Sequence, residues 1–425
     1  MTLACAEPNC AAKAAAGAAR CAKGHVLRRC TRCNAHNRAF ANFCRACSAP
    51  LPPSASNWAG YKGGARRLGF NAARGPAEWT AHKSSLTLRL GDACRSLLAC
   101  DGHLIAVSNG GTIEVADPVR ASSVCRFQTQ GPVMAEPCIS NGVLYVSTRH
   151  QITAYALGPM TLDPPRVRPL WQLPLDGIPL FALTPAGNRV FATVATGDAR
   201  EVCVIEQSGN PPRATVRALH RAARTSWLAA DPESSSAVFL SEDNGRVRLH
   251  IAGDEVVTHP VSLQGLIEQP IAVVGDAVFA IFGSTRRLHR IDSATGAVEE
   301  PLEEDTQLFA LTHDEQGAWD RDGVRIDSEG VLFARSAIRD SFAPLDRPAT
   351  PSPIVIHNAA AVVGMQDGRV LLYALAHLPR HEVWRLDGSA DSPITALASF
   401  DGYIAAGNRD GVVELRELRE KGAPR

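Results

Sequence analysis

Residues 393–418, PITALASFDGYIAAGNRDGVVELREL, decide the fold, because their three short strand patterns and two glycine turns can be laid over most of the chain before them. Ala396, Leu397 and Ala398 belong to an apolar first strand, Asp401-Gly402 turns the chain, and 403–406 form a second strand. Asp410-Gly411 turns it again, and 412–418 form a third strand. Each Asp-Gly pair suits a tight turn, and the apolar runs beside it supply residues to bury.

The same cadence recurs from Leu86 onward. First strands are expected at 96–100, 133–139, 180–184, 226–230, 270–274, 308–312, 353–356 and 394–399. Second strands are expected at 104–107, 143–146, 190–194, 237–240, 277–281, 360–363 and 403–406, and fourth, outer strands at places such as 168–173 and 382–386. Eight repeats of about 38–48 residues predict an all-β protein, an eight-bladed β-propeller. The sixth repeat, around 316–336, is degenerate, and if it is an insertion the ring has seven blades. The last repeat lacks a fourth strand. Residues 86–90, LTLRL, have no repeat of their own, so they are expected to complete the last blade and remove the open edges.

The 425 residues therefore divide into a head at 1–50, a linker at 51–85, the propeller at 86–418 and a charged tail at 419–425. A net charge of +1 excludes a global attraction to nucleic acid or to an acidic membrane. The charge is uneven: residues 1–50 hold eight Lys/Arg against one acid, Glu7. Arginine outnumbers lysine 39 to 5, a codon-bias hint of a GC-rich bacterial source. No export-type apolar segment follows Met1 and no apolar run of about 18 residues occurs, so a cytoplasmic protein without a membrane span is expected.

Seven of the twelve cysteines lie in the first 47 residues at metal-ligand spacing. Cys30-x2-Cys33, ten residues, then Cys44-x2-Cys47 gives two knuckles whose four thiolates can close a tetrahedral zinc site. Upstream, Cys5-x4-Cys10, ten residues, then Cys21-x3-His25 offers a looser second set: either a zinc site or free thiols in an Ala-rich tail. The segment RCTRCNAHNRAFANFCRACSAPL resembles the bacterial zinc-ribbon family, with Phe43 before the second knuckle and Pro50-Leu51 after it. Together the two sets look like a double zinc ribbon holding two structural zinc ions. The resemblance implies structure rather than activity.

The linker is rich in Pro, Gly, Ser and Ala, yet carries Trp58, Tyr61, Phe70 and Trp79 among Lys62, Arg66, Arg67 and Arg74. These aromatics either pin the linker against the ring or form a partner- or nucleic-acid-binding segment through cation and stacking contacts. In the ring, LHRIDSATGAVEE at 288–300 resembles the PQQ-type (quinoprotein-like) repeat, and Trp171 and Trp384 stand where that family often places an outer-strand Trp. The resemblance implies the fold. No PQQ is expected, because the calcium site, the adjacent half-cystines and the export signal of a quinoprotein dehydrogenase have no counterpart in the sequence.

No G-x-S-x-G, P-loop, H-E-x-x-H or helix-opening G-x-G-x-x-G occurs. Cys94, Cys100, Cys125, Cys138 and Cys203 are expected as buried, inert thiols. Arg213, Arg217, Arg221 and Arg224, with His220 among them, form the densest basic cluster of the ring: a solvated edge or a docking patch for an acidic partner. The spacing suits one helical face, and alternation in an outer strand fits part of it. The expected function is a non-catalytic adaptor with protein partners, in the manner of bacterial multi-component signalling or conflict systems. The alternatives are a zinc-ribbon nucleic-acid binder, using Arg28, Arg29, Arg32, Arg38 and Arg45 with Phe40 and Phe43, and a ligand sensor or enzyme using the propeller channel.

Overall fold

The computed structural model describes residues 86–100, 102–157, 167–208, 213–230, 235–266, 270–274, 276–282, 288–299, 306–313, 319–327, 332–336, 341–346, 354–357, 360–374, 381–386, 391–400 and 402–420, and before them 2–4, 13–15, 27–29, 35–38, 46, 70–71 and 79–81. These residues contain strands and turns and no helix. From Leu86 on they form eight successive antiparallel sheets whose neighbouring strands are adjacent in sequence, except where the first strand, Leu86–Arg89, joins the last sheet. The first comprises Cys94–Cys100, His103–Ser108, Thr112–Asp117 and Ser122–Gln128. The third comprises Ile178–Ala186, Arg189–Thr196, Ala199–Ser208 and Arg213–Ala222.

The sheets pack face to face, so middle strands are buried on both sides. Leu104, Ile105, Ala106 and Val107 are all fully buried. That is why the sequence shows continuous apolar runs there instead of alternation. Between the first and second sheets Leu98, Ile105, Val107 and Ile113 meet Ile139, Leu144, Val146 and Tyr155, and each later seam for which side chains are described repeats the scheme.

The closing strand stands where the sequence predicts it. Leu86–Arg89 pairs antiparallel with the last strand, Val412–Glu420, in the register Val412↔Arg89, Val413↔Leu88, Glu414↔Thr87 and Leu415↔Leu86. Gly411 sits at φ 76, and Leu90 N–H donates to its carbonyl at 2.9 Å, which fastens the start of the ring to its end.

Two expectations differ in detail, and two points left open gain a described structure. The degenerate sixth repeat forms a four-stranded sheet from Thr306–His313, Trp319–Asp327, Leu332–Ser336 and Ser341–Asp346. The first strand of the second sheet, Cys138–Ser140, begins late, because the preceding residues turn to the neighbouring sheet: Glu136 N–H bonds to Phe181 O, and Leu183 N–H to Glu136 O. The stretch 226–230 is broken into Arg224–Thr225 and Ala229–Ala230. Finally, two pieces of the linker are paired: Phe70–Asn71 runs parallel to His357 and Ile356, and Trp79–Ala81 runs antiparallel to Leu418, Arg419 and Glu420. That second pairing carries the last strand two residues past Leu418.

In the head, Thr2–Ala4 pairs with Lys13–Ala15, and Leu27–Arg29 with His36–Arg38. The expected zinc ligands Cys5, Cys10, Cys21, His25, Cys30, Cys33, Cys44 and Cys47 lie outside the described residues, as do Trp58 and Tyr61.

Candidate functional site

Several inner strands carry one or two extra residues near their start. Cys94 pairs with Ser108 and Ser96 with Val107, which leaves Arg95 bulged. Ile394 pairs with Asn408 and Ala396 with Gly407, which leaves Thr395. In the third sheet the register jumps between Leu180 and Thr184, and Phe181 adopts φ 59. A bulge frees one residue from the ladder and re-aims its side chain, here toward the neighbouring inner strand. In the fourth sheet Trp227 falls in the break between two short strands and does the same.

These residues make a half-buried collar. Thr395 Oγ1 donates to Cys94 O at 2.5 Å. Arg95 donates to Met134 O at 2.6 Å and to Asn109 Oδ1 at 3.2 Å, and its Nε lies 3.5 Å from Glu136 Oε1. The side chains of that ion pair keep 24% and 16% of their exposure, enough to be reached by a partner. The Glu136 backbone joins Phe181, whose ring stacks on Trp227 with centroids 5.5 Å apart and planes at 20°. A fixed charge pair thus adjoins a flat aromatic pair, the residue types that anchor protein interfaces.

The thiols near and beyond the collar are held in their neutral form. Burial, with Glu136 second, pushes the Cys94 thiol up, and burial, with Glu201 second, pushes Cys203 up to about 12. Neither supplies a thiolate. Cys125, half-buried, is raised in the same way, by burial and then by Glu114.

A second polar group lies between the third and fourth sheets. His220 Nε2 is 3.2 Å from Ser241 Oγ, Ser241 Oγ is 2.7 Å from His250 Nε2, and His250 Nδ1 is 3.0 Å from Thr258 Oγ1. The imidazole rings lie 4.1 Å apart, and Phe239 stacks on His250. Ser241 and His250 have the spacing of a nucleophile and its base, but both are buried, and the group beyond His250 is a hydroxyl instead of a carboxylate. Burial first, then His220 and Arg248, hold His250 down at about 3. Such a weak base takes no proton from a hydroxyl. The chain satisfies buried polar atoms.

The predicted arginine cluster is strand, not helix. Arg213, Arg217 and Arg221 lie on the outer strand of the third sheet, all exposed, and Arg224 lies on the first short strand of the fourth. The register Val204↔Arg217, Val202↔His220 and Glu201↔Arg221 leaves Leu219 as a bulge. Arg213 and Arg217 therefore share a face with His220, and Arg221 points the other way. Sequence spacing brought the four together; the bulge and the break between sheets divide them.

No family model matches the chain, and a search of curated proteins finds no match. Among solved structures it is similar to BamB from Moraxella catarrhalis, at 16% identity and TM-score 0.56, over 82% of this chain and 99% of that one. It is likewise similar to Chaetomium thermophilum Sqt1 bound to the N-terminus of the ribosomal protein L10, at 12% identity and TM-score 0.56, over 79% and 99%. The computationally designed Ika8 protein matches at 16% identity and TM-score 0.53, over 79% and 100%. At these identities the likeness establishes the fold alone: the chain is a β-propeller.

Proposed function

We propose that this protein is a non-catalytic adaptor whose propeller receives a protein segment over the collar of Arg95, Glu136, Phe181 and Trp227. The carrying observation is that collar: a positioned ion pair beside stacked aromatic rings, partly exposed where the inner strands begin. The neutral thiols and the weakly basic His250 support binding over chemistry. Sqt1 in complex with the N-terminus of a ribosomal protein is a precedent for a ring of this fold holding a peptide. The reading takes the eight successive sheets as eight blades.

The head, on this reading, is a double zinc ribbon that engages a second component, and its thiolates suit a reducing, cytoplasmic setting. Its few apolar residues make metal the main source of its folding free energy. Chelation should expose protease sites before about residue 83 while the ring survives, and metal analysis should give about two zinc per chain. Protein purified reduced and free of zinc would overturn this part.

The collar is tested by affinity capture with the full chain from its source organism. Wild type should recover a stoichiometric partner, and Phe181→Ser with Trp227→Ser should lose it while keeping the thermal midpoint within a few degrees of wild type. Recovery of the same partner by both proteins would remove the collar from the interface. The absence of any stoichiometric partner would remove the adaptor reading.

A further inference from the structure

The outer strand of the third sheet, Arg213–Ala222, differs from the other outer strands. It is ten residues long and ends its sheet. Val167–Pro174 contains two prolines, Val256–Pro260 and Ser341–Asp346 contain one each, and His381–Arg385 is five residues long. Ser122–Gln128 is tied down: Arg126 donates to Arg89 O and Leu90 O at 2.9 and 3.0 Å, and Gln128 donates to Gly110 O at 2.7 Å. Short length, proline and tethering all protect an edge from pairing. Arg213–Ala222 contains no proline and is the longest outer strand among the described residues.

Its side chains are sorted by face. Arg213, Thr215 and Arg217 alternate with Ala214, Val216 and Ala218, and Val216 is 41% exposed. Arg213 and Arg217 make no ion pair or hydrogen bond with another described residue, and neither does exposed Arg248 of the adjoining sheet. One face is thus basic, with Arg217 near enough to the exposed Asp254 to help lower its carboxyl, and the other is small and apolar.

We infer that this edge binds an extended peptide of alternating acidic and apolar residues by strand addition, its carboxylates facing Arg213 and Arg217 and its apolar side chains covering Ala214, Val216 and Ala218. Strand addition takes affinity from backbone hydrogen bonds and specificity from alternate side chains, and both are offered here. Opposite charges across a strand pair stabilise it and like charges oppose it, so a second copy of the same edge is disfavoured. Nucleic acid is disfavoured too, because the strand has no Phe, Tyr or Trp for bases to stack on. This surface adds to the adaptor reading and does not depend on the collar.

The test is fluorescence anisotropy with the full chain and a labelled synthetic peptide of about eight residues alternating Glu with Val and Thr. The peptide should bind, and binding should weaken by about tenfold or more in Arg213→Glu with Arg217→Glu. The same peptide N-methylated at alternate amides should lose a similar factor, since its charge is kept and its ladder bonds are not. Arg120→Glu, a charge change of the same sign at a distant exposed site, should leave binding as in wild type. Equal binding of the N-methylated peptide would reduce the site to a charge patch and overturn the inference. So would no binding of the acidic peptide, no effect of the double variant, or its displacement by an oligothymidylate of equal length.

Discussion

The seam between the last and first sheets and the seam between the third and fourth solve the same packing problem with different chemistry. At the closure, Leu88 and Leu90 of the closing strand join Leu97, Leu104, Ile404 and Leu415 in one apolar cluster. The polar additions there sit to one side: Arg126 pairs with half-exposed reach to buried Glu114 and binds the carbonyls of Arg89 and Leu90. Between the third and fourth sheets, Phe191, Val204, Leu228 and Phe239 form a smaller cluster, and the His220–Ser241–His250–Thr258 chain occupies the space beside it. Apolar burial is insensitive to pH and exposed charge, while a buried imidazole is not. The ring therefore has one seam that should be constant across conditions and one that should respond to them.

The largest effect should come from the constant seam. Leu415 is fully buried beside the closing strand, and Leu415→Ala should cost about 2–5 kcal/mol, through lost burial and the cavity left behind. The loss, read from urea unfolding, should be the same at pH 7.5 and pH 5.5. A loss that doubled on acidification would break the comparison.

The third–fourth seam should weaken with acid. His250 is held at about 3 in the fold against an ordinary 6.5, so below pH 6.5 the unfolded chain takes up a proton that the folded one refuses. Its contribution is complete above pH 6.5 and fades toward pH 3, by up to about 1.4 kcal/mol per pH unit and so about 2 kcal/mol by pH 5. His220, also lowered by burial, adds in the same direction, with Asp243 opposing and Arg248 assisting. His250→Gln should flatten the dependence of the thermal midpoint between pH 7 and 5. If the variant kept the wild-type slope, the titrating group would lie elsewhere.

Much of the ring was legible because its repeats keep register over long distances. Gly102 and Gly402, Gly111 and Gly411, and Glu114 and Glu414 occupy corresponding places in the first and last sheets, and both glutamates are buried. The closing strand was readable by elimination, as the one strand pattern without a repeat. The collar was not, since a bulge adds one or two residues without disturbing an apolar run, and Phe181 and Trp227 read as ordinary core. A usable signal existed: Arg95 and Thr395 stand at the same distance before their Asp-Gly turns, at a position that is polar in both mainly apolar strands. The arginine cluster was legible as composition but not as a face. Sequence spacing cannot reveal that Leu219 is bulged, and that one residue decides which way Arg221 points.

The smallest effect belongs to the outer rim of the responsive seam. Arg189 donates to Glu206 at 2.9 Å within the third sheet and reaches Asp254 on a turn of the fourth. That hydrogen bond, and then the charge of Arg189, hold the Asp254 carboxyl below the usual range. Yet the Asp254 side chain is 88% exposed, so water and salt compete for it throughout. Asp254→Asn should therefore lower the thermal midpoint slightly at low ionic strength and leave it unchanged near 1 M salt, where screening acts within about 3 Å. Arg126→Met at the closure should behave differently. Its bonds to two backbone carbonyls fasten the closing strand, and its charged partner Glu114 is buried, where salt screens little, so its loss should persist in salt. If the two variants lost their effects together as salt was raised, the closure would depend on charge after all, and the contrast between the seams would fail.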